Sequence, residues 1–255
     1  YASGDKLGLN LPGLQEELLE TVTAVGKPVV LVISAGSALD LSWADAHVAA
    51  IIDSFYPGAR GGKAVAEAIF GDFSPSGKLP VTFYQGTENL PEFTDYDMSD
   101  RTYRYTDKNV LYPFGYGLHY GTIRYENAQI SCAQCSVRDA VDVSVDVINE
   151  SSYTIHESVQ AYIQHEEADA YEPGYQLKGI QTVTLQPKET KRVTISLKVR
   201  DFAIITQEGE CVVRPGSYRI AIGGQQPDAR SAKLTGSDVA ALVVRREGAQ
   251  TPVEY

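Results

Sequence analysis

The sequence has few cysteines and few basic residues, and each shortage excludes a class of protein. Three cysteines in 255 residues cannot build the several disulfides that hold a small secreted scaffold together. Lysine and arginine number 22 against 33 aspartates and glutamates, which gives a net charge of −11. Because nucleic-acid binding depends on cations that neutralise phosphates, we expect no nucleic-acid partner. An anionic membrane surface would repel the chain for the same reason.

Long apolar runs and targeting patterns are also missing. No apolar run approaches the roughly 20 residues of a membrane-spanning helix, so we expect no membrane partner. The first ten residues lack a basic region followed by an apolar core, which is the pattern of a signal peptide. The sequence opens on Tyr1 rather than Met, and we expect it to begin inside a longer polypeptide that carries the targeting information.

Two of the three cysteines have a spacing that occurs in redox motifs and in half of a zinc site, namely Cys132 and Cys135. Zinc would need two more ligands, and neither a second cysteine pair nor a nearby histidine couple supplies them. We favour two ordinary thiols at a strand end over a redox role, and we expect no metal and no cofactor. The localisation stays undetermined, with a slight lean to the cytoplasm because the cysteines are few and odd in number.

The first 120 residues alternate helix and strand. An amphipathic pattern and two continuous aliphatic runs give the first elements. Helices are predicted at 14–25 and 43–50, and strands at 29–33 and 51–55. Residues 58–84 then combine a Gly-rich loop, a short helix, a Pro/Gly turn and a strand over 79–83. This order implies a largely parallel sheet with helices packed on it.

From about residue 125 the apolar period changes to two. Four valines alternate with polar residues over 140–148. Further strands are predicted at 159–165, 178–185, 190–198 and 217–222. About seven short strands in this half favour an immunoglobulin-like sandwich. The fold class is therefore α/β plus all-β, with an α/β sandwich domain over 1–120, a β-sandwich domain over 121–236, and a tail or linker over 237–255. The apolar run at 239–244 in this last segment leaves an edge strand open as the alternative.

An aromatic linker over 94–120 joins the two domains and carries six of the 16 tyrosines. Such side chains bury a large area and keep a polar tip. We favour an interdomain plug, and a platform that stacks on sugars stays open as the alternative.

Several stretches, in their order along the chain, resemble glycoside hydrolase family 3, the β-glucosidase and β-xylosidase family. They are LNLPGLQEELLETVTAVGKPVVLVISAG, the segment 58–84, LPEFTDYDMSDRTYRY, YPFGYGLHY, and the β-rich half, which resembles a fibronectin type III-like module. The resemblance covers residues 4–224. It implies a three-part retaining enzyme in which a (β/α)8 barrel and an α/β sandwich enclose the sugar. A barrel aspartate attacks the sugar and a sandwich-loop glutamate is the acid/base, with the two carboxyl groups roughly 5–5.5 Å apart.

No catalytic carboxylate of this pattern is found in the chain. No run offers the strand-helix units of a barrel, and the position of the acid/base three residues before Asp5 is taken by Ala2, which cannot transfer a proton. We therefore predict no catalytic residue on this chain and expect both carboxylates on other parts of the enzyme. Asp5 is the one local substitute, although we favour a role in bracing the loop before the first helix.

The loops after parallel strands collect where ligands bind in open α/β sheets. Here these are residues 35–37, 56–58 and 94–104. Predicted sugar-binding residues on the last loop are Asp97, Met98, Arg101 and Tyr103. The same side chains could instead seal the interface with the barrel.

The function predicted from the sequence is the C-terminal part of a retaining β-glycosidase, with a β-glucosidase favoured over a β-xylosidase. Its expected partners are the barrel of the same enzyme and an oligosaccharide or β-glucoside substrate, and a homodimer is compatible with the sequence. We predict that the chain alone is inactive. The alternative is a stand-alone carbohydrate-binding or structural module without catalysis.

Overall fold

The structure is a computed structural model that describes residues 8–88, 90–92 and 94–254. The first half is α/β and the second half is a β-sandwich, as the sequence predicts. The first half contains α1 (Gln15–Thr23), β1 (Val30–Ile33), α2 (Ser42–His47), β2 (Ala50–Asp53), α3 (Gly61–Phe70), β3 (Phe83–Tyr84), α4 (Thr102–Tyr105) and β4 (Val110–Tyr112).

Among the residues that the structure describes, the second half contains eleven further strands. They are β5 (Ile123–Ile130), β6 (Gln134–Ser136), β7 (Val141–Asn149), β8 (Ile155–His165), β9 (Gln176–Leu185), β10 (Thr190–Leu197), β11 (Ile204–Ile205), β12 (Cys211–Val213), β13 (Gly216–Gly223), β14 (Ala240–Glu247) and, as an eleventh short pairing at the end, β15 (Thr251–Pro252). One α-helix, α5 (Ala229–Thr235), lies between β13 and β14.

The α/β half is built around the parallel pair β1 and β2, in which Val30 lies opposite Ala50 and Ile33 opposite Asp53. Its small core includes Ile33, Leu39, Leu41, Phe83 and Leu111. Helix α3 ends at Gly71, which adopts a left-handed conformation and donates its N–H to the carbonyl of Ala68. The predicted order of helix, strand and helix is therefore found up to residue 71.

The strand expected at 79–83 differs from the prediction. The observed β3 covers only Phe83–Tyr84 and pairs antiparallel with β4, apart from the β1–β2 sheet. Leu79 instead exchanges backbone hydrogen bonds with the aromatic linker, since its N–H donates to Tyr116 and its carbonyl accepts from Gly115. Pro80, which has no N–H, cannot extend a strand ladder at this point. The linker therefore takes the place of a third parallel neighbour.

The β domain packs a three-stranded sheet, in the order β10-β7-β5, against a five-stranded sheet, in the order β6-β14-β13-β8-β9. The alternation in β7 is confirmed, because Val141, Val143, Val145 and Val147 are fully buried while the residues between them are not. The two inner faces thus form one continuous core.

Residues 237–255 contain a strand of the sheet, which corrects the expectation of a tail or linker. Strand β14 pairs antiparallel with β13 and parallel with β6, and so lies inside the five-stranded sheet. Val244 and Arg246 of this strand are almost completely buried. The apolar run at 239–244 allowed an edge strand as the alternative, and the pairing on both sides makes it an inner strand of the sheet instead.

Candidate functional site

The carboxyl edge of the β1–β2 sheet brings two of the predicted loops together. The Ser34 hydroxyl donates to the carbonyl of Phe55 at 2.9 Å, and the Ser54 hydroxyl donates to the carbonyl of Ile33 at 2.8 Å. A Cβ on Gly36 would lie 2.5 Å from the ring of Tyr56, so only glycine permits this close approach. The loops 35–37 and 56–58 are thus tied into one edge, with the Tyr56 side chain exposed beside it.

Asp53 lies at this edge and was not singled out from the sequence. Its Oδ1 accepts from the N–H of Phe55 at 2.9 Å, whereas its Oδ2 is buried and has no hydrogen-bond partner. Burial raises the pKa of the Asp53 carboxyl, although the Phe55 N–H lowers it in part. The position of Asp53 at the end of a predicted parallel strand is the sequence signal by which it could have been identified as a candidate site residue. The open lone pairs of Oδ2 can receive a donor from whatever packs on this edge.

Arg101 folds the loop at 92–104 onto itself. Its Nη2 donates to the carbonyls of Glu92 at 2.7 Å and Asp95 at 2.5 Å, and its Nε donates to the carbonyl of Asp97 at 3.1 Å. The guanidinium therefore donates three hydrogen bonds to carbonyl groups of the loop backbone. Arg101 thus stabilises the conformation of this loop, and few of its N–H groups remain to bind a ligand.

Asp97 and Met98 lie at the tip of the same loop and face solvent. Oδ1 of Asp97 accepts from the Ser99 N–H at 2.7 Å. The Ser99 hydroxyl and then the Ser99 N–H lower the pKa of Asp97, so this carboxylate stays charged. Met98 is half exposed and the neighbouring Tyr96 is 90% exposed. Tyr96 was not predicted as a site residue, although an exposed ring is the usual partner of a sugar face.

Tyr103 points away from this tip, into the contact between the two domains. Its ring stacks on Phe114 with centroids 4.1 Å apart, and it meets the edge of Tyr162 from β8. Its hydroxyl accepts from the N–H of Leu177 at 3.1 Å. Of the four predicted residues, the structure therefore groups Asp97, Met98 and Arg101 on one loop and separates Tyr103 from them.

The aromatic linker packs between the domains, as the plug interpretation expects. Tyr112 and Tyr116 stack with centroids 5.7 Å apart, and the hydroxyl of Tyr112 donates to Asp45. The buried side chain of Gln160 on β8 donates to the carbonyl of Gly115 at 2.9 Å. Tyr112 and Tyr116 of the linker thus pack between the two domains, whereas Tyr96 near its start is exposed.

Glu157 joins the two domains through ion pairs. This carboxylate on β8 is almost completely buried, and it lies 3.1 Å from Nζ of Lys78 and 3.1 Å from Nε2 of His119. Burial raises the pKa of Glu157, but hydrogen bonds and charge from His119 and Lys78 outweigh it and lower the pKa overall. Neither Glu157 nor His119 was identified as a site residue from the sequence.

The remaining acidic and sulfur-containing groups have structural partners. Asp169 and the buried Glu172 both pair with Arg214, at 2.6 and 2.7 Å, so this loop is ion-paired and not simply solvated. Burial and then Cys132 raise the pKa of Cys135 to about 11, which is the opposite of a reactive thiol. Within 8–88, 90–92 and 94–254, no group of three or more metal-ligating side chains is found. Asp5, the local candidate for a catalytic role, lies outside the described residues.

Two family descriptions match the chain. Residues 2–120 match the Glycosyl hydrolase family 3 C-terminal domain. Residues 157–226 match the Fibronectin type III-like domain. The two matches follow the α/β half and the β-sandwich of the structure.

Known proteins match almost the whole chain. It is 35% identical over 239 residues to a Beta-xylosidase from Formosa agariphila, and the match covers 91% of this chain and 33% of that protein. It is 31% identical to a Periplasmic beta-glucosidase from Salmonella typhimurium, over 89% of this chain and 30% of that protein. A solved β-glucosidase from Erythrobacter marinus superposes with a TM-score of 0.81 at 33% identity, over 97% of this chain and 32% of that one. The chain spans about a third of the length of the curated relatives it matches.

The comparisons do not support the lean to the cytoplasm, because one of these relatives is named as periplasmic. Among the helices that the structure describes, none has the length and apolarity to cross a bilayer.

Proposed function

Because the chain belongs to glycosyl hydrolase family 3, we propose that it is the C-terminal part of a retaining β-glycosidase that hydrolyses terminal non-reducing β-D-glycosyl residues. β-Glucosides are the substrate class we favour, with β-xylosides next, since relatives of both names match. In this proposal the nucleophilic aspartate and the acid/base glutamate are on other parts of the enzyme. This chain supplies the wall of the sugar site and the fibronectin-like module.

The observation that best supports the proposal is an apolar surface that is exposed to solvent. Helix α1 buries only Leu19, while an apolar stripe at helical spacing faces solvent. The stripe consists of Leu14, Leu18, Val22 and Val25. Val30 and Val32 of β1 are each 41% exposed, although parallel strands are normally covered on both faces. Such a patch marks an interaction surface, and further sheet, helix and barrel of the same enzyme would bury it.

The tip of the loop at 94–98 is the part of this wall that we propose contacts the sugar. Asp97 is charged and exposed, so it can accept hydrogen bonds from sugar hydroxyls, and Met98 can pack against the C–H face of a ring. Arg101 would act by holding the loop carbonyls, and Tyr103 by anchoring the loop to the β domain. A change at Asp97 should therefore raise KM, whereas a change at Arg101 should disorder the whole loop.

The first test measures turnover of aryl β-glucosides and aryl β-xylosides by the pure chain. We expect none, because the two carboxylates of retaining hydrolysis are elsewhere. Clear turnover by the chain alone would overturn this account. Tight binding to cellulose or xylan without turnover would instead favour a stand-alone carbohydrate-binding or structural module.

The second test uses the longer enzyme to which we assign the chain. Asp97→Ala should raise KM for the preferred aryl glycoside by roughly tenfold or more, since a hydrogen bond to a charged group contributes about 1.5 kcal/mol or more. Glu208→Ala is the matched control, as Glu208 is an exposed acidic residue on the β domain. An unchanged KM in Asp97→Ala would remove Asp97 from the sugar site. Sedimentation of the same enzyme would test whether it forms a homodimer.

A further inference from the structure

A cavity lies where the α/β domain, the segment before β5 and the β domain meet. Its volume is about 240 Å³, and it is partly open to solvent. This is room for about eight water molecules at ~30 Å³ each, and less than the roughly 300–1,000 Å³ of sites that hold drug-sized ligands. The residues that matter for its chemistry are Lys78, Leu118, Tyr125, Glu157, Leu234 and Asp238.

The floor of the cavity is a charged cluster held in fixed geometry. Glu157 Oε1 lies 3.1 Å from Lys78 Nζ, and Oε2 lies 3.1 Å from His119 Nε2. Nδ1 of His119 faces the carbonyl of Gly121 at 3.2 Å. Both nitrogens of His119 thus face oxygen atoms, which fix the orientation of the ring. Because Lys78 also donates to the carbonyl of Gly117, the cluster keeps its shape without a ligand.

Tyr125 adds a polar group whose hydrogen bonding is incomplete. Its hydroxyl is buried at the cavity, and no atom of the described residues meets it in good hydrogen-bonding geometry, although the Glu157 carboxylate is its neighbour. Burial, followed by the neighbouring Glu157 carboxylate, raises the pKa of Tyr125 well above its usual value, so the hydroxyl keeps its proton. A buried hydroxyl without a partner costs free energy, which a bound hydroxyl or water would recover. Gly224 leaves this hydroxyl room, since a Cβ there would lie 2.5 Å from it.

The charged groups and the apolar walls of the cavity indicate which class of ligand fits it. The Lys78 ammonium pairs with the Glu157 carboxylate, and the lining holds a second carboxylate in Asp238, so the cavity has no surplus of positive charge to hold an anion. Leu118 and Leu234 supply apolar walls above the polar floor. A neutral molecule with hydroxyl groups along one edge and C–H groups on its faces matches both surfaces.

We propose that this interdomain cavity is a binding site for a small neutral polyol of about the size of a monosaccharide. The polyol would donate and accept hydrogen bonds at Tyr125 and Glu157 and would pack its C–H face on the leucines. Because the cavity is formed by both domains, an occupant would also hold them together. None of its contacts involves the loop at 94–98, so the site goes beyond the function proposed above.

The test is an NMR titration of the 255-residue chain with D-glucose, D-xylose and glycerol as neutral probes and inorganic phosphate as a charged one. We expect saturable shifts at Gly117 and Gly224 for at least one sugar and none for phosphate. Tyr125→Phe, which keeps the ring, should weaken binding about fivefold through the loss of one hydrogen bond. Gly224→Ala should abolish binding, while Gly62→Ala, at a glycine with open space around it, should not change it.

Binding that is equal in wild type, Tyr125→Phe and Gly224→Ala would overturn the proposal, as would the absence of saturable shifts for every polyol well above millimolar concentration. Thermal unfolding of each variant checks that it is folded. If Gly224→Ala does not fold, Tyr125→Phe still tests the proposed binding site. Asp97→Ala should leave these shifts unchanged. A failed cavity site is therefore distinguishable from a failed sugar contact at the loop.

Discussion

At the scale of single residues, the buried charges that join the two domains are the main determinants. Glu157 is a carboxylate with almost no exposure, and its two partners come from outside its own strand, Lys78 from the α/β domain and His119 from the linker. A buried carboxylate is tolerated only when it is paired in this way. The net effect of its partners lowers its pKa, so its charged form is more stable in the folded protein than in the unfolded one.

We predict that Glu157→Gln lowers the free energy of unfolding by roughly 1–3 kcal/mol at neutral pH. Because the folded pKa is below the unfolded value of about 4.3, the stabilisation is complete above that value and is lost as the pH falls through the folded pKa. The difference between wild type and variant should therefore shrink in acid. Thermal unfolding across a pH series measures it, with the exposed Glu208→Gln as the control. A difference that is constant with pH would contradict the assigned charge.

Gly115 is a second residue where the domain contact imposes a strict requirement. Its φ is +77°, and a Cβ there would lie 2.6 Å from the Tyr162 hydroxyl and would also meet the Gln160 side chain. Gly115→Ala should destabilise the chain by roughly 2–4 kcal/mol, from backbone strain plus a displaced buried hydrogen bond.

The control for this prediction is Gly209→Ala. Gly209 has a similar φ of +84°, but nothing lies near its added Cβ. We expect it to cost about 1 kcal/mol, the strain alone. Equal losses in the two variants, measured by thermal unfolding, would show that the contact with β8 does not determine the effect.

At the scale of elements, the position of β14 decides where the β domain ends. The strand lies between β13 and β6, so its side chains alternate between the core and solvent. Val244 is fully buried, whereas its neighbour Val243 is 46% exposed. A tail would not show this alternation in burial, because it would pack on nothing.

Val244→Ala should therefore cost roughly 2–3 kcal/mol of stability, through the lost apolar burial and the cavity left behind. Val243→Ala, one position along the same strand, should cost below about 1 kcal/mol. The midpoints of unfolding of these two variants, each compared with wild type, measure the difference. If both substitutions are equally mild, β14 does not belong to the central sheet.

At the scale of the whole molecule, the two halves differ in how completely they bury their apolar residues. The β-sandwich closes on a large continuous core, while the α/β half has a small core and leaves α1 and β1 uncovered on one side. The chain also spans only about a third of its curated relatives. The uncovered side is thus the surface that the proposed remainder of the enzyme would bury.

We predict that Leu18→Gln reduces binding of an apolar dye to the isolated chain, since Leu18 is 63% exposed in the stripe of α1. The same change should destabilise the longer enzyme by about 2 kcal/mol or more, where the position would be buried. Glu20→Gln, on the same helix, is the control and should do neither. A Leu18→Gln substitution without effect in the longer enzyme would mean that the stripe stays exposed there.

The sequence predicted most elements that depend on local pattern. Apolar periodicity and the bounding glycines and prolines predicted helices α1 and α3, the parallel strands β1 and β2, the alternating strand β7, and strands β8 to β10. The family resemblance and the fold class are confirmed by the matches and by the solved relatives. These features were predictable because each is encoded within some ten neighbouring residues.

The candidate site was predicted less completely, for a physical reason. The loop at 94–104 was identified, but the pattern could not show that Arg101 turns back onto the loop or that Tyr103 turns towards β8. Likewise, no local signal connects Glu157 with Lys78, which lies 79 residues earlier. Such pairings join parts of the chain that are distant in sequence, so only the folded structure brings them together.

The sequence by itself determined the class of the protein: an acidic two-domain chain whose motifs place it in a glycosidase family, with no catalytic carboxylate at the expected position. Tertiary structure decided which residues became partners, since it placed β14 inside the sheet, turned the aromatic linker into a plug and enclosed a polar cavity between the domains. Periodicity and composition are properties of neighbouring residues, whereas burial and ion pairing depend on which distant segments come into contact.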